Sequence, residues 1–183
     1  MTFTKTLIAA TAASLLAGAA NAADGDKQFD GLYGGIEAGV DWTKLAGEAK
    51  RDRSLYYGGV LGFRSQMDNN MVLGLEGTFG DSGYKNNAQN LKLGYEWSAS
   101  LTLGQAFGRD GANLVYAKAG YVETRVKEID GEDVSSKLDG WRFGGGYERA
   151  LTDNMSLRLG ADYTTYGDET SGWQTKAGLL LKF

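Results

Sequence analysis

The chain has 183 residues, and its 19 Lys and Arg against 23 Asp and Glu give a formal net charge of −4 at pH 7. This negative balance, without basic clusters, argues against a surface that binds a nucleic-acid backbone. Cysteine and histidine are both absent, so disulfides, thiolate metal sites and the commonest general base are missing. We expect no cofactor, no metal site and no enzymatic activity.

Residues 1–22 differ from everything that follows. An apolar run over residues 7–20 ends in Ala20-Asn21-Ala22, a small-residue pattern typical of a signal-peptidase site. The run is too short and too rich in alanine to span the ~30 Å hydrocarbon core of a membrane. We therefore predict a cleaved signal peptide over residues 1–22 and one exported domain over residues 23–183. Because no apolar run of about 18 residues follows, that domain would have to enter a membrane as strands.

From Leu32 onward, apolar residues alternate with polar residues or glycine, and turn-forming clusters divide this pattern into eight segments. A period of two predicts strands. The segment at residues 91–104 alternates without interruption. The predicted strands cover approximately residues 29–44, 54–66, 71–80, 91–104, 114–125, 141–148, 155–164 and 173–183.

The connections between these segments also alternate. Those at residues 67–70, 108–113 and 152–154 are short turn clusters, whereas the others tend to be longer and more charged, as at residues 46–53 and 127–137. Short turns on one rim and longer loops on the other match an all-β fold, an eight-stranded antiparallel up-and-down transmembrane β-barrel with its short turns in the periplasm. An even strand number places both ends of the mature domain on the periplasmic side.

Eight alternating strands are also compatible with a soluble barrel, so the charged face decides the assignment. That face carries acids and bases in near balance, which would line an apolar ligand pocket poorly, while the other face would expose Leu, Trp, Tyr and Phe to water. Charge in the lumen and lipid outside resolve both conflicts. The predicted polar network of the lumen comprises Glu37, Arg64, Glu76, Lys92, Glu96, Lys118, Arg142, Glu148, Arg158, Asp162 and Lys176.

At eight strands the lumen is just wide enough for side chains to fill it. Leaving one charge unpaired there costs on the order of 3–5 kcal/mol, so we expect mutual ion pairs, for example Glu96 with Arg142 or Lys118 with Glu148. Such pairs would plug the lumen. The alternative is a narrow ion or small-solute channel, in which the pairs swing apart.

The outward aromatic residues gather at two heights, as the interfacial girdles of a membrane barrel do. One predicted girdle lies towards the long-loop end of the strands and the other towards the short-turn end. The first comprises Trp42, Tyr57, Phe79, Tyr95, Tyr121, Trp141, Tyr163 and Trp173, and the second comprises Phe63, Phe107 and Phe183.

Several stretches carry a resemblance to a known family. They are GLYGG at residues 31–35, LVYAKAGY at 114–121, and GWRFGGGYERALTDN at 140–154 followed by LRLGADY at 157–163. In these stretches the chain resembles the OmpA-like small-barrel superfamily and, within it, alphaproteobacterial porin-family or opacity-type outer-membrane proteins. The resemblance covers essentially the whole mature domain. It implies a Gram-negative outer-membrane location and recognition by the barrel-assembly machinery through Leu179, Leu181 and Phe183.

These features predict a monomeric integral outer-membrane protein with a structural, envelope-stabilising and surface-exposed role, in contact with outer-membrane lipid and lipopolysaccharide. Besides the channel, a second alternative is adhesion to a host or surface ligand through the extracellular loops. A third alternative is a lipid-modifying enzyme of the outer membrane. It is disfavoured because the known small-barrel enzymes of this kind use a histidine beside a serine, and histidine is absent here.

Overall fold

A computed structural model describes residues 27–44, 52–82, 85–86, 91–108, 110–128, 136–166 and 170–183 of the chain. The predicted signal peptide and its processing site lie outside the described residues. So do large parts of the connections predicted to form the longer loops. The described residues contain no helix that is long and apolar enough to cross a membrane.

Strands account for almost all of the described chain, and each long strand pairs in antiparallel fashion with its neighbours along the sequence. The strand β1 pairs with β2 on one side and with β9 on the other, so the sheet closes on itself. The predicted closed up-and-down barrel of eight long strands is therefore confirmed. The strands are β1 (Gly31–Lys44), β2 (Asp52–Gln66), β3 (Met71–Ser82), β4 (Lys85–Asn86), β5 (Leu91–Phe107), β6 (Asn113–Glu128), β7 (Ser136–Ala150), β8 (Met155–Tyr166) and β9 (Ser171–Lys182).

Several strands extend further towards the long-loop end than the sequence predicts. The strand β7 begins at Ser136, and the two-residue strand β4 pairs with the start of β5. Backbone hydrogen bonds between strands need no apolar side chains, so pairing continues beyond the part of the barrel that lipid covers. The alternation of apolar and polar residues stops where that part ends, and the sequence therefore predicts shorter strands. As a consequence, the connection between β8 and β9, residues 167–170, has the same length as the turn at residues 67–70, and this connection is not one of the longer loops.

A bulge interrupts the pairing between β5 and β6. Leu93 pairs with Val126 but Glu96 pairs with Thr124, so β5 holds one extra residue between them. Because side chains alternate with a period of two, an extra residue inverts the parity of the positions before it. The parity that predicted a lumen position for Lys92 does not carry across this bulge. The prediction for Lys92 therefore loses its basis, and its side chain lies outside the described residues.

Elsewhere the two faces of the wall separate as the alternation predicts. Outward side chains such as Ile36, Leu55 and Phe183 are exposed by 70%, 70% and 71% of their surface. Inward polar side chains are buried almost completely, and the apolar residues that are buried with them lie in small clusters inside the barrel. An apolar outer wall around a polar interior is the reverse of the arrangement in a soluble protein, and it suits a barrel surrounded by lipid.

Candidate functional site in the barrel lumen

The strand period places one charged residue after another on the inner face of the barrel. Glu148 has no exposed surface, and Arg142 is 2% exposed. Every predicted lumen residue whose side chain the structure describes is buried in the same way. These residues are Glu37, Arg64, Glu76, Glu96, Lys118, Arg142, Glu148, Arg158, Asp162 and Lys176.

Arg158 on β8 is the centre of the largest cluster. Its guanidinium group forms salt bridges to Glu76 of β3 and Glu148 of β7, and its Nη1 lies 3.6 Å from Glu37 Oε1 of β1. Its Nε also donates a 3.1 Å hydrogen bond to Glu148 Oε2. One planar cation therefore connects carboxylates from three other strands, which the fork of donors on a guanidinium group allows.

Two lysines complete a ring of alternating charges through this cluster. Lys118 Nζ lies 3.3 Å from Glu76 Oε1 and 3.1 Å from Asp162 Oδ2. Lys176 Nζ lies 2.9 Å from Asp162 Oδ2 and 3.2 Å from Glu37 Oε2. Each charge thus has opposite charges on both sides. Around the ring, the residues follow one another in the order Glu37, Arg158, Glu76, Lys118, Asp162, Lys176 and back to Glu37.

Arg64 extends the cluster towards the short-turn end. It forms a two-pronged pair with Glu148, with Nη1 at 2.9 Å from Oε2 and Nη2 at 3.1 Å from Oε1. Ser156 Oγ adds a 2.6 Å hydrogen bond to Glu148 Oε1. Glu148 is therefore fully surrounded by donors, which is the condition under which a buried carboxylate remains charged.

A second, separate pair lies towards the long-loop end. Arg142 donates to both carboxylate oxygens of Glu96, at 2.8 Å and 3.0 Å, and its Nε donates to Thr164 Oγ1 at 2.9 Å. The predicted pairing of Glu96 with Arg142 is present. The predicted pairing of Lys118 with Glu148 is wrong, because Lys118 pairs with Glu76 and Asp162 instead.

Inward tyrosines belong to the same network, although the predicted set of lumen residues does not contain them. Tyr33 donates a 2.7 Å hydrogen bond to Glu76 Oε2, and its ring centroid lies 3.9 Å from Cζ of Arg64. The guanidinium group of Arg158 stacks over Tyr116 at 5.1 Å. In the sequence, Tyr33 lies on a strand face that otherwise carries charged residues and glycines, and this position could have predicted a lumen tyrosine. In the structure, Gly62, the neighbour of Tyr33 on β2, leaves room for the tyrosine ring.

On the outer wall, the predicted aromatic residues of the long-loop end form a belt in which several rings lie close together. Ring centroids are 5.5 Å apart for Phe79 and Tyr95, 6.5 Å for Tyr121 and Trp141, and 5.1 Å for Tyr163 and Trp173. Trp42 is the cross-strand neighbour of Trp173. Tyr57 also points outward. These distances are typical of attractive aromatic pairs. Trp97, which the sequence analysis did not assign to a girdle, lies 5.8 Å from Tyr121 within this belt.

At the short-turn end the outward rings are fewer. Phe107 packs against Tyr147, a second residue that the sequence analysis did not assign, with centroids 6.4 Å apart. Phe63 of β2 points outward, as do Leu179 and Leu181 of β9 and Phe183, which follows β9. Two aromatic bands therefore bracket an apolar wall, the arrangement that the two interfaces of a membrane favour.

A family model described as "Outer membrane protein beta-barrel domain" matches residues 9–183. The chain belongs to this outer-membrane barrel family. Among curated relatives, the 25 kDa outer-membrane immunogenic protein of Brucella ovis is 32% identical over 160 residues, which cover 84% of this chain and 77% of the relative. The 22 kDa outer membrane protein of Rhizobium leguminosarum is 31% identical over 144 residues, which cover 74% and 65%.

Solved structures share the fold of this outer-membrane barrel at low sequence identity. Neisserial surface protein A superimposes with a TM-score of 0.62 at 16% identity, covering 83% of this chain and 97% of that one. Ail, the attachment invasion locus protein of Yersinia pestis, gives a TM-score of 0.54 at 16% identity, covering 82% and 98%. At this level of identity the likeness concerns the barrel architecture alone.

The Arg142–Glu96 pair allows a clean test of coupling in this outer-membrane barrel, since neither residue forms a salt bridge with the larger cluster. We expect Arg142→Met and Glu96→Gln each to destabilise the barrel, because each leaves one buried charge without its partner. The double variant should lose less than the sum of the two, with a coupling energy of about 1–3 kcal/mol. Urea titrations of the four barrels in lipid vesicles would measure it, and strict additivity would contradict the pairing.

Proposed function

We propose that this outer-membrane barrel is a structural, surface-exposed component of the envelope, and that ion pairs plug its lumen. The observation that carries the proposal is the pairing of the lumen charges. Each of the ten buried charges described above lies within 4.0 Å of an opposite charge. A conducting pore instead needs charged or polar groups that face free water.

A small cavity beside Arg158 supports a plug. A cavity lined by Tyr33, Arg64, Tyr116 and Arg158 has a volume of about 10 Å³, which is at the lower limit for one water molecule. Side chains of this length fill an eight-stranded barrel because its interior is only as wide as they are long. An ion that crosses would have to displace the salt bridges of Arg158.

The same pairing supports a role without catalysis. A carboxylate that acts as a general acid or base needs a proton-transfer partner and access to a substrate. Glu76, Glu148 and Asp162 each form salt bridges with two cations and are almost completely buried. Under this proposal they stabilise the barrel rather than act on a substrate.

The proposal includes an orientation and partners. The described chain ends at the short-turn rim, where Phe183 N donates to the carbonyl of Leu32, and we place this rim in the periplasm. The girdled outer wall would contact outer-membrane lipid, including lipopolysaccharide, as a monomer. Leu179, Leu181 and Phe183, which all point outward, would contact the barrel-assembly machinery during insertion, and the loops would meet any surface or host ligand.

Planar-bilayer recording tests the plug. Purified barrel is expected to give no conductance steps, and Arg142→Met is expected to give none either, because the ring around Arg158 persists in that variant. A large water-filled porin, added to the same membrane, controls for the sensitivity of the recording. Reproducible steps from the unaltered barrel would contradict the plug and support the narrow channel.

A further inference from the structure

The segment before the first strand crosses the mouth of the barrel at its short-turn end. We call residues 27–30, Lys27-Gln28-Phe29-Asp30, the strap. The strap leads into β1 at Gly31, whose φ of +106° lies in a region that favours glycine. At this residue the chain turns from a path across the mouth to a path along the wall.

Phe29 of the strap points into the lumen. It is 2% exposed and belongs to an apolar cluster with Val72, Ala106 and Leu114, the inward residues nearest to the short turns. On its inner side the ring faces the guanidinium group of Arg64 at 5.5 Å. A large apolar side chain therefore separates the ion-pair network from the outside at this end. Burial of a phenylalanine is itself a strong attachment.

Polar contacts attach the strap around the rim. Phe29 N donates to Gln66 Oε1 at 2.9 Å, and Gln66 N donates to Asp30 Oδ1 at 2.7 Å. On the opposite side, Gln28 Nε2 donates to the carbonyl of Thr152 at 3.0 Å, and Lys182 Nζ donates to the carbonyl of Gln28 at 3.3 Å. The strap therefore spans the mouth from β2 to the β7–β8 turn and β9.

A further contact lies on the outside of the rim. Lys27 Nζ is 2.9 Å from Asp68 Oδ1 of the β2–β3 turn. The hydrogen bond and the charge of Lys27 lower the pKa of the Asp68 carboxyl below its usual value. Asp68 is fully solvated, so this contact orients the first residue of the strap more than it stabilises it.

We propose that the strap is a second seal of the lumen, apolar and independent of the ion pairs, with Phe29 as its stopper. Water and solutes reach the short-turn side of the network only when the strap leaves the mouth. Little space remains beside the strap: the cavity between Phe29, Arg64, Glu148 and the exposed β7–β8 turn at Asp153 has a volume of about 10 Å³, at the lower limit for one water molecule. The seal goes beyond the proposed plug, because it concerns which end of the lumen is open rather than whether ions cross it.

Single introduced thiols test the seal, because the chain contains no cysteine of its own. Val72→Cys puts a thiol of similar size into the cluster beneath Phe29. In folded barrels in detergent micelles, where a small charged methanethiosulfonate reagent reaches both ends, this thiol is expected to react slowly. Adding Phe29→Ala should accelerate the reaction by roughly tenfold or more, as expected for removal of a local barrier. Adding Phe29→Leu, which keeps an apolar stopper, should leave it slow.

Two further thiols separate a local seal from general loosening. Ser98→Cys reports on a buried position in the middle of β5, where Ser98 is 3% exposed, and its rate should not change with Phe29→Ala. Asp110→Cys lies in an exposed turn at the same end and should react rapidly in every background. Equal acceleration at Val72→Cys and Ser98→Cys, or none at Val72→Cys, would overturn the proposal. Since these rates are measured without ion flow, their outcome is independent of the conductance test.

Discussion

Replacing Arg158 by methionine is expected to lower the free energy of unfolding by about 3–5 kcal/mol, the largest effect of any single lumen substitution. The physical reason is the position of Arg158 between Glu37, Glu76 and Glu148. Removing one cation leaves an excess of negative charge where water cannot solvate it. Arg158→Lys should recover part of the loss, because the charge returns without the planar fork of donors.

Urea titration of the barrel in lipid vesicles, followed by the fluorescence of its four tryptophans, measures this loss. Arg149→Met is the matched control, since Arg149 lies on the same side of the barrel wall as the lipid-facing residues of β7 and is exposed. Its replacement should cost less than about 0.5 kcal/mol. Equal effects at Arg149 and Arg158 would show that the salt bridges of Arg158 do not stabilise the barrel.

Gly120→Ala is the second substitution for which we expect a severe loss, on the order of 3 kcal/mol. Gly120 faces the lumen on β6 between Ser100 of β5 and Arg142 of β7. A Cβ atom there would overlap the carbonyl oxygen of Ala99 and the Cα atom of Ser100. Both are backbone atoms of a paired strand, so they cannot rotate away as a side chain could.

Gly77→Ala is the matched control for Gly120→Ala. Gly77 lies on the outer face of β3, and the nearest atoms to an added Cβ, the carbonyl oxygens of Leu61 and Ser98, are 3.8 Å away. The same added methyl group should therefore leave folding intact at Gly77. The fraction of heat-modifiable barrel on an unheated detergent gel, with urea titration of the folded material, compares the two. A fully folded and equally stable Gly120→Ala barrel would contradict the close approach of β5 and β6.

Together these variants distinguish two contributions to the stability of the barrel interior. Arg158→Met removes a buried charge and its donors, whereas Gly120→Ala adds a methyl group without changing any charge. Glycines beside long side chains, as with Gly62 beside Tyr33, make the network sterically feasible. A narrow lumen needs both conditions, because a buried charge is stable only if it reaches a partner and if its own chain fits.

The sequence by itself was sufficient for the wall of the barrel. Alternation with a period of two assigns each residue to the lumen or to lipid, and the assignment agrees with the structure for residues as far apart as Glu37 and Lys176. Parity is a local property of a strand, so it can be read without knowledge of any other strand. The alternation fails where a bulge breaks the period, as it does before Glu96.

The contacts across the lumen depend on the tertiary structure. Partners such as Arg158 and Glu76 lie far apart in the chain, and the tilt and stagger of the strands decide which side chains share a height. For this reason the sequence led to the wrong partner for Lys118. The strap was also hidden, because the predicted first strand already began at Phe29 and so left no segment to cross the mouth. The turn at Gly31 and the closed wall around it show that the chain crosses the mouth before β1 begins. The sequence determined which residues face inward; the closure of the barrel decided which of them meet.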